Sequence, residues 1–316
     1  MTNELSKNIV NLYLVSENDE NQRLDNLLTK LFKDVPKSHI YRIIRGGEVR
    51  VNKKRVEVNY KVQLNDSVRI PPLFINQTKS PATNYIPQAN FTVLYEDEYY
   101  LIINKPNGVA CHGGSGISFG VIEQLRNSLT TLKFLELAHR LDRETSGVLI
   151  LAKKRIALVQ LQEIIRLGNL SKQYLALTCG QWQETSKHVK LPLYKYVTKD
   201  GERRVKVDHE HGQESYTIFK VVQKFVDSTL VNANLKTGRT HQIRVHLQHL
   251  GHPIVGDEKY GNFDLNKKFY KDGCKRMFLH AYKVEFMHPI LNTKLSIEAP
   301  LPNNLAQFLT QQHKVL

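Results

Sequence analysis

Leu24, Leu27, Leu28, Leu31 and Phe32 recur at i, i+3, i+4, i+7 and i+8, which places five apolar side chains on one face of a helix of two to three turns. Val35 and Pro36 interrupt the pattern. A second helix is expected from near Pro36 or Ser38, burying Ile40, Ile43 and Ile44 and stopping at Gly46 and Gly47, residues that can turn left-handed at a helix end. The period then changes to two. Glu48 to Val51 alternates, Asn52 and Lys53 offer a tight turn, and Val56, Val58, Val62, Val68 and Ile70 carry the alternation up to Pro71 and Pro72. The pattern predicts a compact two-helix-plus-hairpin unit. Residues 1–20 are polar and weakly patterned, so they read as a tail or a single short strand. Leu73 to Ala89 holds two prolines among polar residues without periodicity and reads as a linker.

From Asn90 the apolar positions come as alternating or continuous short runs bounded by turn residues: FTVLYEDEYYLIINKP, GVLILAKK, YLAL, ESYTIFKVV, STLVNANL and KVEFMHP. Helical spacing intervenes at about Gly120 to Ser128, Ile156 to Leu167 and Thr240 to Leu250. Strands outnumber helices and do not alternate strictly with them. The expected fold is therefore α+β, a small basic unit followed by a larger domain with a mixed, mainly antiparallel sheet flanked by helices.

Charge adds the first functional constraint. The 316 residues carry 45 Lys and Arg against 30 Asp and Glu, a net +15, while 41% hydrophobic residues argue for a folded chain. Between Arg23 and Ile70 alone stand twelve basic and five acidic residues, an excess of seven in less than a sixth of the length. Lys37, Arg42 and Arg45 are expected along one exposed helix face, with Lys53, Lys54 and Arg55 at the hairpin. That arrangement fits a module following a phosphate backbone, or else a solvated basic surface. Cys111, Cys179 and Cys274 are too few and too scattered for a disulfide framework, and no Cys-x-x-Cys pair is present. The N-terminus lacks a basic start followed by an apolar region, and no run approaches the roughly 18 apolar residues of a membrane span. A cytoplasmic protein without membrane contact is expected.

Two segments offer chemistry. HRLDRETSG, His139 to Gly147, sets Asp142 on a turn before the buried run VLILA, flanked by Arg140 and Arg143. A carboxylate between two guanidiniums would stay ionised, which suits a nucleophile or base; a structural ion pair is the plain alternative. KTGRTHQIRVHLQHLGHP, Lys236 to Pro253, reads as a helix capped by Thr240, with Ile243, Leu247 and Leu250 on one face and an end at Gly251 and Pro253. Arg244 falls among apolar neighbours and should need an acid, for which Asp142 is a candidate. His241, His246, His249 and His252 lack both a common helix face and an acidic partner, so no metal site is expected. KPNGVACHGGSG, Lys105 to Gly116, lacks phosphate-loop spacing and reads as a turn near a site. SKQYLAL puts Tyr174 in a short strand, where a ring either packs or stacks on a flipped base.

The stretch RLDNLLTKLFKDVPKSHIYRIIRGGEVRVNKKRVEVNYKVQLNDSVRIP resembles the S-four-type RNA-binding domain. KPNGVACHGG, HRLDRETSG, KQYLAL, GRTHQIRVHL, GHPIVGDEKYG and LHAYKVEFMHP, in this order, resemble the ribosomal large-subunit pseudouridine synthases. The division this implies is a tail at 1–20, the S-four-type domain at 21–72, a linker at 73–89 and a catalytic domain at 90–316. The resemblance implies an isomerase converting uridine to pseudouridine in bacterial large-subunit (23S) ribosomal RNA, naked or in a precursor particle, with no obligatory protein partner. It implies that Asp142 assists glycosidic cleavage as nucleophile or proton-abstracting base. Tyr174 stacks on the uracil and is a candidate to take the carbon-5 proton, Arg244 orients Asp142, and Arg140 enters the stack the flipped nucleotide leaves. No cofactor is expected. A base-releasing glycosylase and a non-catalytic RNA-binding assembly factor are the competing readings; the second leaves Asp142, Tyr174 and Arg244 without a purpose.

Overall fold

A computed structural model describes residues 9–32, 35–73, 86–114 and 119–313. The chain forms two compact units, one within residues 1–85 plus 154–156 and one comprising 86–153 plus 157–316.

The first unit holds β1 (Asn11–Leu14), α1 (Leu24–Leu31), α2 (Lys37–Arg45), β2 (Arg50–Val51) and β3 (Ser67–Ile70). The apolar stripe of α1 and Ile40, Ile43 and Ile44 of α2 meet Val49, Val62, Val68 and Ile70 in one core. Gly47, with φ +72°, makes the left-handed turn after α2, whereas Gly46 keeps helical angles. Asn52 and Lys53 both have positive φ, and Val51 and Lys54 exchange backbone hydrogen bonds across them, closing a tight turn after β2. Residues 11–14 form the single short strand expected as the alternative to a tail; it pairs with β3, so the sheet has order β1-β3-β2. One correction follows. The alternation at Val56, Val58 and Val62 is not a strand: the backbone there bonds to the approach to α1, with Leu24 N–H donating to Tyr60 O and Val62 N–H to Gln22 O. Valines spaced to enter a core thus mimic strand periodicity. Most of the expected linker lies outside the described residues.

The second unit contains β4 (Thr92–Glu96), β5 (Tyr100–Lys105), α3 (Val121–Ser128), β6 (Glu136–Leu137), β7 (Ser146–Ala152), α4 (Arg155–Arg166), β8 (Ser171–Cys179), β9 (Ser186–Lys190), β10 (Leu193–Val197), β11 (Arg203–Val207), β12 (Tyr216–Lys224), β13 (Ser228–Leu235), α5 (Gln242–His249), α6 (Phe263–Lys271), β14 (Leu279–Met287), β15 (Lys294–Glu298) and α7 (Asn303–Gln311). Its main sheet runs β4-β5-β7-β14-β8-β13-β12-β9, with β15 on β14 and β6 on β7; β7 and β14 are parallel and every other described pair in it is antiparallel. The pleat sorts the core onto two faces. Leu101, Ile103, Tyr174 and Ala176 pack with α3 and α5 on one, while Tyr100 and Ile102 meet α4, and Leu177 and Cys179 meet α6 and α7, on the other. The strands that periodicity did not reveal, β9 to β11 and β15, are rich in charge: SKHVK and RRVKV each bury one valine. All three cysteines are buried and unbridged. Among the described residues no helix is long and apolar enough to cross a membrane.

Candidate active site

A cleft of about 500 Å3 opens on the α5 face of the sheet and is lined by Arg140, Asp142, Lys172, Tyr174, His241 and Arg244 among others. Its floor is fixed by the loop between β6 and β7. Asp142 O accepts from Thr145 N–H at 3.1 Å, closing the turn, and Gly147 enters β7 with φ +115°. A Cβ on Gly147 would stand 2.1 Å from the carbonyl oxygen of Ala281, its parallel neighbour on β14, so a glycine is required there. His139 takes the N–H of Ile150 on its Nε2 at 3.1 Å, and burial lowers its pKa to about 3, keeping the ring a neutral acceptor.

The segment read as a turn near a site cradles this loop. Lys105 Nζ donates to the carbonyls of Pro106, Val109 and Arg143 at 2.8, 2.7 and 3.0 Å, and Gly108 N–H also donates to Arg143 O. Burial pushes the Lys105 pKa down to about 8. Cys111 Sγ accepts from Leu141 N–H at 3.1 Å and donates to Leu141 O at 3.2 Å; burial raises its pKa, so the thiol keeps the proton it donates. Asp142 therefore lies between two residues whose backbone is pinned on both sides. Ser115 and Gly116 lie outside the described residues.

Arg244 approaches Asp142 from α5. Its Nη1 donates to Asp142 Oδ2 at 3.2 Å, while Nε and Nη2 grip the two oxygens of Asp257 at 2.7 Å each. Burial works against the guanidinium charge, but the bonds and charge of Asp257, then those of Asp142, outweigh it and push the pKa up. Asp257 is itself 1% exposed and its Oδ1 also accepts the N–H groups of Lys259 and Tyr260. Arg244 thus needs an acid as expected, but Asp257 is the larger partner. Sequence reasoning missed it, although an Asp followed by turn residues in GHPIVGDEKYG and a buried arginine in want of a carboxylate were both visible.

Three expectations change. The guanidinium touching Asp142 belongs to Arg244, not to its chain neighbours: Arg143 pairs with Glu144, and Arg140 is exposed at the cleft. Thr240 does not cap α5; the N-cap is His241, in left-handed conformation with φ 53°. Gln242 secures that entry, accepting from Thr237 Oγ1 and Arg239 N–H and donating to Tyr216 O and Thr217 Oγ1. Finally, Tyr174 is buried within β8 rather than half-buried, opposite Ala233 and Ala281 on the flanking strands. Those small neighbours leave room over the ring. Burial, and next the Asp142 charge, raise the phenol pKa, so the ring is neutral.

His241 Nε2 lies 3.9 Å from Asp142 Oδ2, and its Nδ1 is 2.7 Å from the Tyr260 hydroxyl. The other histidines diverge: His246 bonds Ser215 and Thr217, His252 stacks on Trp182, and His249 is exposed. Among the described residues no three His, Cys, Asp or Glu side chains form a cluster suited to a metal. In the first unit Lys37, Arg42, Arg45, Lys53, Lys54 and Arg55 are all exposed; Arg45 lies over Tyr41, and the Arg55 side chain covers Gly47.

A carboxylate clasped by a buried arginine beside a strand tyrosine, in a chain that also carries a basic unit of two helices and a small sheet, fits the RNA-modifying class that the sequence resemblance implies, and comparison with known proteins shows that class. The sequence model of the RNA pseudouridylate synthase family matches residues 99–249, and that of the S4 domain matches residues 22–68. Relatives named ribosomal large subunit pseudouridine synthase C are 48% identical in Pasteurella multocida, over 95% of this chain and 93% of the relative, and 47% identical in Yersinia pestis, over 97% of each. Among solved structures, human RNA pseudouridylate synthase domain containing 1 aligns with a TM-score of 0.60 and 26% identity over 73% of this chain and 92% of that one. Human RNA pseudouridylate synthase domain containing 4 gives 0.58 and 27% over 70% and 92%. The chain belongs to the RNA pseudouridylate synthase family and carries an N-terminal S4 domain.

Proposed function

We propose that this protein isomerises specific uridines of bacterial large-subunit (23S) ribosomal RNA to pseudouridine, acting in the cytoplasm on the RNA itself or on a precursor particle. The observation that carries the reading is the Arg244 clasp. It occupies Oδ2 of Asp142, while Oδ1 receives no hydrogen bond among the described residues and is the oxygen free to act in the cleft. The target nucleotide leaves its stack at a cost of roughly a few kcal/mol, with Arg140 filling the gap and uracil seated on Tyr174. Asp142 acts at the sugar as the bond between N1 and carbon 1' breaks and uracil departs with the electron pair. The base turns, carbon 5 bonds to carbon 1', and the carbon-5 proton is lost while N1 takes one up; the neutral Tyr174 hydroxyl is the candidate acceptor, handing on its own proton as it receives this one. Holding the detached base is a problem of position, and the neutral ring supplies a stacking surface for it. The surface cations of the S4 unit, Lys37, Arg42, Arg45, Lys53, Lys54 and Arg55, contact the RNA backbone.

The test is tritium release from ribosomal RNA labelled at uridine carbon 5, followed by nucleoside analysis, with no metal or nucleotide added. Wild type is expected to release label and yield pseudouridine. Asp142→Asn is expected to lose turnover while binding RNA within a few fold. Free uracil as product would make the enzyme a glycosylase, and tight binding without turnover would favour an assembly factor or a particle as the substrate.

A further inference from the structure

Lys172 stands on β8 two residues before Tyr174, so the strand pleat directs both side chains to one face, and both line the cleft. Its cross-strand neighbours are Leu235 and Val284, neither able to receive a charge. A Cβ on Gly238 would lie 3.3 Å from its Nζ, which places the ammonium under the loop leading to α5. Among the described residues no carboxylate pairs with it. Of the other cations lining the cleft, Arg244 is engaged with Asp257 and Asp142, Arg166 with Glu163 and Arg239 with the carbonyl of Glu214, while Arg140 and Lys236 are exposed to solvent. Burial lowers the Lys172 pKa, as it must for a desolvated ammonium without a partner. Such a group is expensive to bury unless a ligand supplies the missing charge.

We propose that Lys172 binds a backbone phosphate of the flipped nucleotide, anchoring it while its base lies on Tyr174. The inference rests on reading the cleft as a uridine-isomerising site. One strand repeat, about 7 Å, separates the two side chains, a spacing suited to a nucleotide whose base and phosphate are engaged together. A compact ammonium matches a phosphate as a point charge, whereas a planar guanidinium would suit a bidentate edge.

The test is a binding cycle on a short RNA substrate in which one phosphate at a time, on either side of the target uridine, is replaced by an uncharged methylphosphonate. Wild type is expected to lose affinity about ten- to hundredfold at one of these two linkages. Lys172→Met is expected to be indifferent to that change within about twofold, and Lys172→Arg to keep most of the sensitivity. An equal loss in wild type and Lys172→Met overturns the assignment and puts the ammonium against the base instead. Insensitivity of wild type to both linkages also overturns it, whether or not the Met variant folds. Tritium release from the unmodified RNA by wild type reports separately on the isomerase reading, so the two can fail independently.

Discussion

Arg244 shows why the geometry of the cleft depends on Asp257, a residue outside its lining. Two of its bonds go to Asp257 and one to Asp142, so the guanidinium is oriented by the first carboxylate and presented to the second. Removing one partner of a buried pair typically costs about 3–5 kcal/mol, because the survivor keeps its desolvation penalty. Asp257→Asn is therefore expected to lower the unfolding midpoint by several degrees and to reduce tritium release at least tenfold. A variant with normal stability and turnover would show that Asp142 holds Arg244 unaided. The buried histidines give a second residue-level expectation. Burial lowers His246 and His280 to about 4, against 6.5 for a free imidazole. Between those values the unfolded chain binds more protons than the folded one, so stability falls as pH falls from about 6.5 to about 4, by up to roughly 1.4 kcal/mol per pH unit for each ring. His246→Gln should flatten the pH dependence of the melting temperature across that window; an unchanged slope would mean the ring is protonated in the fold. The sequence exposed Asp142, Tyr174 and Arg244 because each sits in a short stretch of distinctive composition. It concealed Asp257, Lys105 and Cys111, whose work is to bond backbone or charge far along the chain, and no spacing rule reaches that far.

At the scale of elements, periodicity found those with one apolar face or a continuous core run. Leu24 to Phe32 and VLILA are read without ambiguity since both bury most of their apolar side chains. It failed where charge dominates an edge or a projecting hairpin, as in β9, β10 and β11, and where valines enter a core from a loop, as at Val58 and Val62. The start of β7 joins element to site. Gly147 lets the loop holding Asp142 run directly into a strand parallel to β14, with the Ala281 carbonyl against its Cα. Gly147→Ala combines a positive φ with a backbone clash and should cost roughly 2–5 kcal/mol. It is expected to displace Asp142, losing turnover in whatever fraction stays folded. Full activity at an unchanged melting temperature would show that β7 and β14 can separate without disturbing the loop.

At the scale of the molecule, charge is distributed by function more sharply than composition suggests. Asp25 and Asp66 of the S4 unit are buried, the first bonded to Arg23 and Tyr41, the second to Asn52, Tyr60 and the N–H of Gln63. Two of the five acids counted in this stretch thus do internal work, and the surface presented to a polyanion is more basic than the count implies. Lys53 and Lys54 stand exposed on the turn after β2, and the exposed Arg55 lies across Gly47, two residues after Arg45 at the end of α2. If these cations follow phosphates, each released counterion contributes to the salt dependence of binding, and the logarithm of affinity should fall with the logarithm of salt at a slope set by the number of contacts. Reversing the charge of Lys53 and Arg55 together is expected to weaken RNA binding at low salt and to flatten the slope by about one unit per lost contact. Turnover at saturating RNA should change little, because neither residue belongs to the cleft. A steep slope unchanged by the double reversal would remove this turn from the path of the RNA and transfer the contacts to the helix face of Lys37, Arg42 and Arg45, where the same measurement decides the matter.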